Sequence, residues 1–138
     1  MNWIASRSGV IVLSALAFLA YMERALLDWR FVVGDFATET DIATTVLAMA
    51  FYLLVSAAWL WGLMAAARGS RNGLWTLLAL SLLLLVGLGV ATPVSFCPSP
   101  CQTAWPLMEV SNWAGLVVGL LAALSAWLRL RRPAGAEA

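Results

Sequence analysis

The sequence predicts an all-α membrane protein, a four-transmembrane-helix up-down bundle with both termini cytoplasmic. Three observations predict it. Of 138 residues, 63% are hydrophobic and 11% charged, against roughly 45–50% and about 25% in soluble domains. The apolar residues fall into four long blocks, each near the ~20 residues needed to cross a ~30 Å hydrocarbon slab. The arginines gather on one side of those blocks, the asymmetry that sets membrane orientation. Together with a mean hydropathy of +0.91, this excludes a soluble enzyme, a nucleic-acid-binding domain, a disulfide-stapled secreted domain and a disordered chain.

The first span runs from about Ser8 to Leu27, uncharged as far as Met22 and closed by Glu23 and Arg24. Arg7 followed by Gly9 to Ala20 imitates a signal peptide. Cleavage after Ala20 would place Phe18 where a small residue is needed, so the segment is expected to remain as a span. The second span runs from Ile42 to Ala66, behind Thr38-Glu39-Thr40-Asp41, which has capping-box spacing. The short turn Arg68-Gly69-Ser70-Arg71-Asn72-Gly73 makes it an antiparallel neighbour of the third span, Leu74 to Ala91, which Pro93 stops. The fourth runs from Leu107 to Leu128. Pro106 suits its first turn, and Glu109 lies near the positive end of its dipole. Residues 1–132 form one domain in this reading and 133–138 a flexible tail. No internal repeat is evident, which argues against an inverted-repeat transporter.

Orientation follows from Arg7, Arg68, Arg71, Arg129, Arg131 and Arg132 on one side against Arg24 and Arg30 on the other. The arginine-rich side is expected to be cytoplasmic. Loops of about Asp28 to Asp41 and Thr92 to Pro106 then face outward. Arginine without any lysine is the vocabulary of a GC-rich bacterial genome, so the expected site is the inner, or cell, membrane. Trp3, Trp75 and Trp127 fall near the inner interface and Trp29, Trp105 and Trp113 near the outer one, a belt common to membrane proteins. Trp59 and Trp61 sit deeper, on different faces of the second span.

The chain has no histidine and no lysine, which removes the commonest general base, imidazole metal ligands and Schiff-base chemistry. No resident cofactor or metal is implied. The most unusual motif is Cys97-Pro98-Ser99-Pro100-Cys101 in the second outward loop. An oxidising compartment permits a disulfide there, and two prolines reduce the entropic cost of closing it. A structural brace is the first reading. A redox-active pair, with Cys101 just before a helix N-terminus, and a Cu(I) site with Met108 as third ligand are the alternatives. Four spans with a cysteine pair before the fourth resemble the membrane vitamin K epoxide reductase family, whose Cys-x-x-Cys and loop cysteines are missing here. The Cys-x-x-x-Cys spacing resembles the dinuclear copper site of cytochrome oxidase, where Trp105 stands in place of the needed histidine.

Small residues mark where helices meet protein in a bilayer. Ser111, Gly115, Gly119 and Ala123 recur every four residues in the fourth span, and Ala58, Gly62 and Ala66 in the second. The third span carries Gly87 and Ala91. These stripes pack either within the bundle or against another subunit. Leu82 to Leu85, and Leu121 on the side of the fourth span away from Gly119, are expected to face lipid. At the end of the first span, Tyr21, Arg24 and Asp28 continue a stripe begun by Ser14 and Ala17. Arg24 and Asp28 are spaced to pair, while Glu23 points about 100° away. Glu23, Arg24 and Asp28 form either an interfacial ion pair or a proton, quinone or ligand site.

The expected function is a non-catalytic accessory, scaffold or assembly subunit of a membrane complex. Its partners would be the lipid bilayer and a membrane protein or a second copy, with no nucleic acid. A membrane thiol–disulfide protein using Cys97 and Cys101 is one alternative, and a small transporter or channel component is another.

Overall fold

A computed structural model describes residues 3–34, 42–94 and 105–132, with side chains described within 3–26, 46–88 and 110–132. The described residues form four helices: α1 (Arg7–Gly34), α2 (Ile42–Ala67), α3 (Arg71–Val94) and α4 (Trp105–Arg131). Each contains a stretch long and apolar enough to cross a membrane: Arg7–Leu26, Val46–Ala67, Arg71–Leu88 and Val110–Arg131. The chain has the architecture of a multi-pass membrane protein.

The helix limits have local causes. Ser6 caps α1, its Oγ accepting from Gly9 N at 3.0 Å and donating to Trp3 O at 2.6 Å. α1 then continues to Gly34, so much of the loop expected from Asp28 is helical. The charges that end the apolar stretch do not interrupt backbone hydrogen bonding, and no glycine or proline intervenes between Leu27 and Gly34. Between α2 and α3, Gly69 adopts φ 83°. Ser70 N bonds Ala65 O and Gly69 N bonds Ala66 O, both at 2.9 Å, the pair of bonds that closes a Schellman motif. This sharp reversal lets α3 restart at Arg71, three residues before the expected Leu74. α3 ends one residue past Pro93, and Pro106 is the second residue of α4. The capping-box segment, Cys97, Cys101 and the tail from 133 lie outside the described residues.

The α3–α4 seam is the most extensive. α1 packs on α4, α2 on α3, and α1 and α2 touch more lightly. Among the described residues α2 and α4 do not meet. α2 is therefore the outermost helix, with 17% of its membrane stretch buried against 39% for each of the others.

Small residues let the backbones approach. A Cβ on Gly115 would lie 2.8 Å from Leu88 Cδ1 and 3.7 Å from Ala20 Cβ, and one on Gly119 would lie 3.3 Å from Leu85 Cδ2. Ala123 is buried and Ser111 half-buried. On α2, a Cβ on Gly62 would lie 3.1 Å from Leu77 Cδ2, and Ala58 is half-buried. Among the described glycines that face another helix, the most closely packed is Gly73, which the sequence reading placed in a turn. A Cβ there would lie 2.5 Å from Ala66 N.

Two expected lipid faces are corrected. Leu82 and Leu83 are exposed, but Leu84 is 6% exposed and Leu85 packs against the core. Four consecutive helical residues sweep about 300° and cannot share one face. Leu121 is also partly buried against the core, while Leu120 faces outward. Both α1 and α3 pack on α4, so α4 buries a wider arc than a single small stripe implies.

At one end of the bundle the arginines converge. The Arg7 guanidinium lies against Gly69, and Arg71 Nη2 donates to Leu130 O at 3.3 Å. Arg131 sits over the Trp127 ring at 3.9 Å. These contacts join the start of α1, the α2–α3 turn and the end of α4, segments that together carry Arg7, Arg68, Arg71, Arg129, Arg131 and Arg132.

Candidate functional site

Helical spacing sets Ser14, Ala17, Tyr21 and Arg24 along one side of α1, and Tyr52, Val55 and Trp59 along one side of α2. These two stripes face each other across the light α1–α2 contact. Trp59 is fully buried and its Nε1 donates to Ser14 O at 3.1 Å. Tyr21 Oη donates to Tyr52 O at 3.3 Å, and Ser56 Oγ donates to the same carbonyl at 2.7 Å. Ring centroids lie 5.7 Å apart for Tyr21 and Trp59, 5.8 Å for Phe18 and Trp59, and 5.9 Å for Tyr21 and Tyr52. All fall within the range for favourable aromatic pairs.

The aromatic cluster forms one wall of a cavity of about 200 Å³ between α1, α2 and α3. Its floor is buried: Val55, Trp59, Leu84 and Leu88. Its mouth is formed by Phe51, Leu83 and Gly87, all exposed. A Cβ added to Gly87 meets nothing within 4 Å. Arg24 is the charged group in the lining. Its Nη1 donates to Asn112 Oδ1 on α4 at 3.3 Å, which ties the guanidinium to the packed half of the bundle.

Of the residues singled out in the sequence, Arg24 lines the cavity together with Tyr21. Glu23 is exposed on another side of α1, and the side chain of Asp28 lies outside the described residues, as do Cys97, Cys101 and that of Met108. The packing residues Gly115, Gly119 and Gly62 sit at helix seams rather than in the cavity. The sequence reading missed Asn112, which is 5% exposed. An amide inside an apolar span is itself a signal, because a polar side chain there needs a partner. It also missed Trp59 as the hub of the aromatic wall. Ser14 Oγ and Ser81 Oγ are buried with no hydrogen-bond partner among the described residues. No group of three His, Cys, Asp or Glu comes together among the described residues.

Chemically, the site offers ring faces and aliphatic walls, with one charged side chain, Arg24, in its lining. That combination suits an apolar or ring-bearing molecule. An engineered cavity of about 150 Å³ admits a benzene ring, so the space here suits one substituted ring. Because Gly87 opens on empty space, Gly87→Ala is expected to stabilise the protein by up to ~1 kcal/mol through helix propensity alone. Thermal unfolding in detergent measures it, and a lowered midpoint would show that the site is closed at this position.

Comparison with protein-family models, curated proteins and solved structures gives no match.

Proposed function

We propose that the chain is a non-catalytic accessory protein of a bacterial inner membrane that holds a small membrane-soluble ligand in the α1–α2–α3 cavity. The observation that carries this reading is the place of α2. It roofs a cavity with a polar end, touches α1 lightly and does not meet α4 among the described residues. Its seam with α3 is close, through Gly62, Ala66 and Gly73, so the light contact lies on the α1 side alone. A preformed pocket beside a light α1–α2 contact suits uptake and release of a ligand more than a rigid scaffold.

The same proposal sets the chain as an up-down bundle with both termini in the cytoplasm. Support comes from pairings that run in opposite directions across the α1–α2 and α2–α3 seams: Ser14 with Trp59 and Tyr21 with Tyr52, then Gly62 with Leu77 and Gly73 with Ala66. The gathered arginines support the cytoplasmic side. A thiol–disulfide role rests on Cys97 and Cys101, and a transport role on Glu23, Arg24 and Asp28.

Native mass spectrometry of protein released from its own membrane tests the ligand. A small molecule is expected at one copy per chain in the unmodified protein and absent from Gly87→Leu, whose side chain fills the mouth. Equal retention by both proteins would place the molecule elsewhere and defeat the proposal.

A further inference from the structure

We infer that the arginine end of the bundle binds an anionic phospholipid, with Arg7, Arg68, Arg71 and Arg131 holding the phosphates of a two-phosphate lipid of the diphosphatidylglycerol class. The site is separate from the cavity and stands whether or not a ligand is held there.

Scattered arginines attract an anionic surface only in general, but here three segments bring them together. Arg68 precedes Gly69 in the α2–α3 turn, and the Arg7 guanidinium lies against that glycine. Two residues on, Arg71 Nη2 donates to Leu130 O at 3.3 Å, and Arg131 follows Leu130 in α4. The four therefore form two pairs, one about Gly69 and one about Leu130. At most about 7 Å of chain separates Gly69 from Arg71. Two neighbouring guanidinium pairs match two phosphates joined through one glycerol better than a single phosphate.

These donors are open to a ligand. All four residues are exposed. Arg7 and Arg68 make no side-chain hydrogen bond or ion pair among the described residues. Arg71 spends one nitrogen on Leu130 O, and Arg131 lies over the Trp127 ring at 3.9 Å, so each keeps most of its five N–H groups. No Asp or Glu occurs at 3–9, 66–75 or 127–132, and Glu137 would neutralise only one of the charges. Arg129 is half-buried and engaged, so it is not counted.

Depth points to a lipid rather than a soluble polyanion. Trp75 and Trp127 are exposed and lie four positions into the bundle from Arg71 and Arg131. Indoles settle at headgroup level. At ~1.5 Å per residue the arginines stand about 6 Å further out, in the phosphate layer.

Native mass spectrometry tests this with the full chain released from phosphatidylcholine nanodiscs doped equally with diphosphatidylglycerol and phosphatidylglycerol. One diphosphatidylglycerol per chain is expected, favoured at least about fivefold over phosphatidylglycerol, the worth of one further arginine contact. Arg7→Gln and Arg71→Gln should each weaken it about fivefold. Arg132→Gln removes the same charge from the same end, outside the two pairs, and should cost less than about twofold. Arg71→Lys should lose part of the binding, because lysine keeps the charge but not the fork. If Arg71→Gln does not fold, Arg7→Gln and Arg68→Gln decide, since neither breaks a hydrogen bond described here. Equal losses at Arg7, Arg71 and Arg132 would mean diffuse attraction and overturn the inference. So would phosphatidylglycerol held as well as diphosphatidylglycerol, or displacement of the lipid by excess inorganic phosphate.

Discussion

Trp59→Ala is expected to destabilise the bundle more than any other single truncation, by an amount at the low end of about 3–5 kcal/mol. Trp59 is fully buried, stacks with Tyr21, lies tilted against Phe18, and donates to Ser14 O. Truncation removes the wall of the cavity and the contact that holds α2 to α1. The low end applies because the helices separate into lipid rather than water, so the loss is mainly packing. Thermal unfolding in detergent measures it against Trp61→Ala, two residues away and half-exposed, which should change little. Similar effects of the two would mean that α2 is rotated from the position described. Trp59→Phe should recover most of the loss, leaving about 1 kcal/mol for the hydrogen bond.

The second large effect is expected at Gly73. A Cβ there would lie 2.5 Å from Ala66 N, 2.7 Å from Ala65 Cβ and 2.8 Å from Ala65 C. Two of these atoms are backbone, which no rotamer change can move. Gly73→Ala should therefore cost about 1–3 kcal/mol by overpacking, and Gly73→Leu should cost more. Gly62→Ala is the informative contrast, since its new methyl would meet only side-chain atoms of Leu77 and Thr76 at 3.1–3.3 Å. Those ends can shift, so the cost should be smaller. The reverse order would contradict the seam at the α2–α3 turn.

The two glycines also show where sequence reading stops. Spans were legible because the slab thickness fixes a length, and four uninterrupted apolar runs meet it. Gly69 was legible as part of a turn because glycine tolerates a positive φ. Gly73 was read as more of the same turn, since nothing local distinguishes a turn glycine from one that admits a neighbouring backbone. The extension of α1 to Gly34 escaped for a related reason: hydropathy reports the slab, not the helix.

The cavity was half legible. Arg24 and Tyr21 stood out as polar residues at helical spacing in an apolar run. Their partners did not, because Asn112 is 88 positions from Arg24 and Tyr52 is 31 from Tyr21. A single sequence carries the period of each helix but not its rotation about its own axis, and the rotation of α2 decides whether Trp59 faces lipid or Ser14. Leu84 illustrates the point within one helix: four identical side chains in a row differ only in direction.

The depth of every group, from the arginine end to Arg24 beside the cavity, follows from how the chain is inserted, and impermeant labelling of intact cells tests that directly. In a Cys97→Ser/Cys101→Ser background, Thr38→Cys should react with a membrane-impermeant maleimide added outside. Ser70→Cys, in the turn beside Arg68 and Arg71, should react only after lysis. Labelling of Ser70→Cys in intact cells would contradict the orientation, and with it the cytoplasmic placement of the arginines.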